Sequence, residues 1–226
     1  MKIAVFVEGL TELEFVWSLV KAVCGQRGID FEVQEQSHGR LVFVSLNRVP
    51  EASAYLLIVN CRSDGQVKTQ IRDQYASLVA ADYTHIIGLR DVFPFAHADI
   101  PKLKSALAVG LPTGGQVGVE MHLAILEVES WFLDEITHFE RIDPTLTHAF
   151  LAAGGFDVVA TPGEAWGNPA ETLDNIYKLC GKRYRKKLRF IQRTINSLSP
   201  EELYVNVRNR APSFDEFLAS LERALF

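Results

Sequence analysis

The chain has 226 residues, a formal net charge of -5 and 48% hydrophobic residues, which excludes the disordered, fibrous and disulfide-framework classes. Its three cysteines, Cys24, Cys61 and Cys180, are odd in number and widely spaced, which fits reduced thiols and a cytoplasmic setting. No stretch is long enough to cross a bilayer and no secretory signal pattern precedes the first apolar run, so no membrane role is expected.

In chain order, Ile3 to Val7 is an unbroken apolar run, the mark of a strand buried on both faces of a parallel sheet. It ends at Glu8. Thr11-Glu12-Leu13-Glu14 then matches a capping box at the start of a helix, with Leu10 and Phe15 as its hydrophobic staple. That assigns Glu14 to a cap and Glu12 to the helix dipole, and leaves Glu8 without a structural task. Phe31 to Glu35 and Leu41 to Leu46 read as shorter strands, and Tyr55 to Asn60 as a buried strand before a turn at 62–65. Val67 to Ala81 reads as a helix, Thr84 to Arg90 as a strand ending at Asp91, and Pro101 to Val109 as a helix. Val117 to Val128 reads as the last strand, running into Glu129-Ser130-Trp131-Phe132-Leu133.

The remainder is mostly helical, with helices expected over Pro144–Ala153, Ala170–Leu179, Arg183–Leu198 and Ser213–Leu225. The expectation is therefore an α/β domain over 1–141 with a mainly parallel sheet, and a helical extension over 142–226 packed on it. Charge divides along the same line. Residues 1–141 carry 12 basic and 18 acidic side chains, residues 142–226 carry 11 and 10, and eight of those 11 lie between Lys178 and Arg193.

Buried strands that repeatedly end in acids carry the chemistry. Glu8, Asp91, Glu127 and Glu129 follow apolar strands, and parallel strands bring their carboxyl ends to one edge, where open α/β sheets hold ligands. Carboxylates gathered there repel one another unless a proton or a cation intervenes. Hard Mg²⁺ or Mn²⁺ suits such oxygen donors, whereas no histidine or cysteine cluster points to zinc. The basic segment Lys182-Arg183-Tyr184-Arg185-Lys186 can track a phosphate backbone, with Tyr184 as a stacking ring. An equally open alternative is a solvated helix face. Walker, Gly-x-Ser-x-Gly and His-Glu-x-x-His motifs are absent.

Val7-Glu8-Gly9-Leu10-Thr11-Glu12, followed by a strand ending at Asp91, resembles the Toprim domain. Glu127-Val128-Glu129-Ser130-Trp131-Phe132-Leu133-Asp134 resembles the acid-Trp-Leu-Asp segment of its RloB-like branch, found in bacterial phage defence. The resemblance extends to Asn168-Pro169 and the Lys182–Lys187 segment. It implies a Toprim-like, Rossmann-like fold and a Mg²⁺-dependent nuclease acting on RNA or DNA. In it Glu8 is a general acid or base or a metal ligand, Asp91 is the first of a paired-aspartate motif, and Glu127 and Glu129 are the acids before the tryptophan. One departure stands out: the second aspartate of the pair falls at Phe93, so Asp99 or Glu127 must complete the site. The alternative is a non-catalytic module that binds nucleic acid or a partner and works with an ATPase encoded beside it. Primase-like nucleotide synthesis ranks third, and assembly with further copies of the chain stays open.

Overall fold

In the computed structural model, all residues are described except Asp64, Thr113, Gly114 and Gln116. Asp64, in the turn read at 62–65, thus lies outside the described residues. The protein is α/β. Strands β1 (Lys2–Val7), β2 (Ile29–Ser37), β3 (Arg40–Asn47), β4 (Ala54–Asn60), β5 (His85–Asp91) and β6 (Gly118–Ala124) form one sheet in the order β3-β2-β4-β1-β5-β6. β1 is parallel to both β4 and β5, β4 is parallel to β2, and only the β2–β3 pair is an antiparallel hairpin among the pairings resolved. The sheet is mostly parallel and Rossmann-like, with helices flanking it.

Two compact units divide the chain, and the line between them is not the linear one drawn near residue 141. The first comprises Met1–Asp91, Ala98–Leu123 and Phe217–Phe226; the second comprises Val92–His97 and Ala124–Glu216. Residues 124–141, read as part of the α/β domain, belong to the second unit.

In the first unit, Ile3, Ala4, Val5, Phe6 and Val7 are all fully buried. A pleated strand sends alternate side chains to opposite faces, so such a run requires cover on both. Ala4 and Phe6 join Leu57, Val59 and Ile86 under Val67, Ile71 and Leu78 of helix α2 (Gln66–Ala80). Helix α1 (Leu10–Cys24) lies against β2 and β4. Each large apolar side chain so buried stabilises the fold by roughly 1.5–3 kcal/mol. At Gly88 on β5 the side chains of Met121 and Ile71 pack close: a Cβ there would lie 2.3 Å from the Met121 sulfur, which would have to shift.

The expected capping box is not formed. Helix α1 begins at Leu10 with Gly9 as its N-cap, without a side-chain cap hydrogen bond, and Thr11 and Glu12 are buried inside the first turn. Gly9 takes the extended conformation that lets the chain leave β1 and enter the helix directly, so the cap lies two residues before Thr11.

In the second unit the helices are short: α4 (Glu129–Asp134), α5 (His138–Ile142), α6 (His148–Ala153), α7 (Pro169–Lys178) and α8 (Leu188–Ser197). α6 starts at His148 rather than at Pro144, and its N-cap Thr147 accepts from the Phe150 N–H through the side-chain hydroxyl. Helix α8 starts at Leu188, not Arg183. The preceding basic residues are not helical, because Asp174 accepts from both the Tyr184 backbone N–H and the Arg183 side chain and fixes the chain there. The final helix spans Pro212–Leu225.

Candidate functional site

In the first unit, the carboxyl ends of the parallel strands gather the residues that the strand pattern singles out. Val7 is in register with Asn60 of β4 and with Leu89 of β5, so Glu8, Cys61 and Asp91 follow on one edge. The Cys61 N–H donates to the Val7 carbonyl at 2.8 Å, and the Asp91 N–H donates to Glu8 Oε2 at 3.1 Å. Glu8 is half-buried and Asp91 is buried. The Cys61 thiol is pushed up to about 12, first by its burial and then by the Glu8 carboxylate. A thiol held protonated in this way is a packing group, not a nucleophile.

Glu12 is a third acid of this region, and sequence reasoning set it aside. It is 3% exposed, and its Oε2 lies 3.1 Å from where a Cβ on Gly9 would sit. A larger residue at Gly9 would displace this carboxylate. Helix-dipole preference explained Glu12 well enough in sequence to hide it; the four-residue spacing from Glu8 was the available signal. Asp99 stands at the start of helix α3 (Ile100–Ala108) and makes no side-chain cap.

The second unit holds Glu127 and Glu129 in a different way. They do not share a strand face, because β6 ends at Ala124. Leu126 has φ +64, a left-handed conformation that is strained for a branched residue, and its carbonyl accepts from the Phe93 N–H at 2.8 Å. That turn carries Glu127 out of the strand and lets Glu129 open α4. Glu127 accepts from the Ala170 N–H in the first turn of α7 at 3.2 Å. Glu129 is fully buried and accepts from the Tyr184 hydroxyl at 2.7 Å. The Lys186 ammonium lies 2.8 Å from Glu127 and 3.5 Å from Glu129.

The basic segment is therefore largely committed inside this unit. Lys182 donates to the Ile142 carbonyl at 2.6 Å and pairs with Asp143 at 2.7 Å, which holds Asp143 down at about 2. Arg183 makes a two-pronged contact with Asp174 at 2.8 and 2.9 Å, holding that carboxyl well below the usual range. Tyr184 is 2% exposed, so it is not the stacking ring expected; burial against Tyr177 and the bond to Glu129 consume it. Arg185 alone of the five is exposed without an ion pair among the described residues, while Lys186 keeps a half-exposed ammonium.

Asp91, Glu127 and Glu129 are buried carboxylates, each offering an oxygen of the kind that could hold a metal ion. No protein-family model, curated protein or solved structure matches the chain.

Proposed function

We propose that this protein is a Mg²⁺-dependent phosphodiesterase acting on nucleic acid, in the phage-defence setting that the Toprim-like resemblance implies. The observation that carries this reading is the hydrogen bond from the Asp91 N–H to Glu8 at the carboxyl edge of a parallel sheet. That edge is where α/β sheets perform chemistry. Held by this backbone N–H, Glu8 is the carboxylate proposed to take a proton from water or return one to a leaving oxygen. Asp91, Glu127 and Glu129 are the proposed metal donors. Bound Mg²⁺ would supply charge neutralisation at the phosphate and a more acidic water. Arg185 and the exposed side of Lys186 are the residues left to meet a phosphate backbone.

The test is cleavage of labelled RNA and DNA with Mg²⁺ or Mn²⁺ and with EDTA. Metal-dependent cleavage that falls at least about 100-fold in Glu8→Gln supports the reading. No EDTA-sensitive cleavage, or a Glu8→Gln variant as active as wild type, ends it. The single variants Asp91→Asn, Glu127→Gln and Glu129→Gln report which carboxylates the ion needs.

One observation favours a second reading, a non-catalytic binding module that works with an ATPase. Lys186 already places a positive charge on Glu127 and Glu129, the role a metal would otherwise fill. Isothermal titration with Mn²⁺ separates the two. A saturable site weakened by Asp91→Asn belongs to the enzyme reading, and the absence of one belongs to the binding module.

A further inference from the structure

The geometry of the first unit points to a second, separate site: a pocket for a small planar aromatic anion at the amino edge of the sheet. The cavity has a volume of about 240 Å³ and is lined by Trp17 and Lys21 of α1, Arg27 of the following turn, Ile29 and Phe31 of β2, and Val49. Ligand pockets usually hold roughly 300–1,000 Å³, so this one suits a compact ligand and not a polymer.

Three features define its chemistry. Trp17 and Phe31 stack with ring centroids 4.7 Å apart and planes 15° apart, an aromatic wall supported from behind by a buried ring. Ile29 and Val49 extend the apolar lining. Lys21 and Arg27 supply two positive charges, and no carboxylate lines the cavity among the described residues. In a chain of net charge -5 that is an unusual local field. Among the described residues neither cation forms an ion pair. The Arg27 guanidinium instead stands over the Phe226 ring, 4.6 Å from its centroid. Part of this charge faces the carbonyl end of α1, where cations are favoured anyway. That explains a cation near the helix end, but not two of them on an aromatic-walled cavity.

Position separates this pocket from the acids. Ile29 begins β2 in register with the first residue of β4, whereas Glu8 follows the last residue of β1 and Asp91 is the last residue of β5. Strands of this length put roughly 20 Å between the two edges. The pocket is therefore a site for a small effector and not part of the proposed reaction centre, and its test does not depend on cleavage. The expected ligand is a flat ring system bearing one carboxylate or phosphate: the ring against Trp17, the anion between Lys21 and Arg27.

Two probes distinguish the sources of such chemistry: indole-3-acetate for an aromatic acid and adenosine 5′-monophosphate for a nucleotide. Calorimetry on the full chain is expected to give saturable binding of at least one of them, weakened by salt. The uncharged counterparts, indole and adenosine, are expected to bind at least tenfold more weakly. The Lys21→Gln/Arg27→Gln variant changes two exposed side chains, so an unchanged thermal melt accompanies an affinity loss of at least tenfold. In protein labelled with 5-fluorotryptophan, the ¹⁹F resonance that disappears in Trp17→Phe moves on titration. Absence of saturation by both acids up to millimolar concentration overturns the proposal. So does equal binding by the uncharged counterparts, or full affinity in the double variant.

Discussion

The first unit is organised by its backbone ladder and an apolar core, whereas the second is tied by buried polar side chains. β1 places five consecutive fully buried apolar residues between β4 and β5, and its polar groups are met strand to strand. The helices α4, α5 and α6 have only five or six residues each, too short to satisfy their own ends. Side chains do so instead. The Trp131 indole donates to the Ser213 hydroxyl, which donates to Glu164. Arg210 grips Asp134 and the Val158 and Val159 carbonyls, and Asp134 also accepts from the Gly163 N–H. His138 lies fully buried between the Glu135 carbonyl and the Tyr177 hydroxyl, which also lies 3.2 Å from the Thr194 hydroxyl. A ladder tolerates change at single side chains because its hydrogen bonds are not theirs. A network of this second kind fails at single residues, because removing one partner leaves another buried and unmet.

The sharpest way to break this contrast is Arg210→Ala. Asp134 is buried, and burial raises its pKa against the pull of Gly163 and Arg210. Removing the guanidinium is expected to destabilise the protein by about 3–5 kcal/mol, the range for stripping one partner from a buried pair. Urea denaturation measures it, and a loss under 1 kcal/mol would show that the network is not what holds the second unit.

Function at the ladder's edge comes next. Glu8→Gln keeps the hydrogen bond from Asp91 but loses the proton acceptor. A fall in metal-dependent cleavage of at least about 100-fold, roughly 2.7 kcal/mol in barrier, is expected with an unchanged melting temperature. Loss of stability and activity together would instead make Glu8 structural.

The third prediction concerns pH. Burial lowers His138 to about 3 from its ordinary value near 6.5, with its bond to the Glu135 carbonyl opposing that shift. The unfolded chain therefore binds a proton that the folded chain refuses between those values. This contribution is complete above about pH 6.5 and is lost as pH falls toward 3, reaching about 2 kcal/mol of destabilisation at pH 5. The difference between wild-type and His138→Phe stability curves isolates it from the carboxylates. Parallel curves between pH 7.5 and 5 would contradict it.

The smallest effect is at a helix end. Thr147→Ala removes the cap of α6 and is expected to cost about 1 kcal/mol, whereas Thr11→Ser should leave α1 intact because Thr11 caps nothing. Paired melting curves of the two variants measure the difference.

Much of the first unit was legible in sequence. Unbroken apolar runs gave β1, β4 and β5, and their terminal acids pointed to an edge where Glu8 and Asp91 do meet. These features are local in origin: period, length and the residue after the run. The basic segment misled for the opposite reason. Lys182, Arg183, Tyr184 and Lys186 have partners between about 10 and 60 positions away, which no local pattern reveals. Glu12 and Glu14 were read from a motif that names residues but not the cap position, and the extended backbone of Gly9 settled that position.

Sequence alone thus determined the parallel α/β sheet and the acids Glu8 and Asp91 at the ends of β1 and β5, because burial on both faces is written in consecutive apolar residues. Only tertiary structure decided which charges are spent and which remain available. Ion pairing depends on the spatial approach of distant segments, as Lys186 shows with Glu127 and Glu129. It also decided that β6 stops at Ala124, because the left-handed turn at Leu126 is held by a backbone hydrogen bond from Phe93, more than thirty residues earlier.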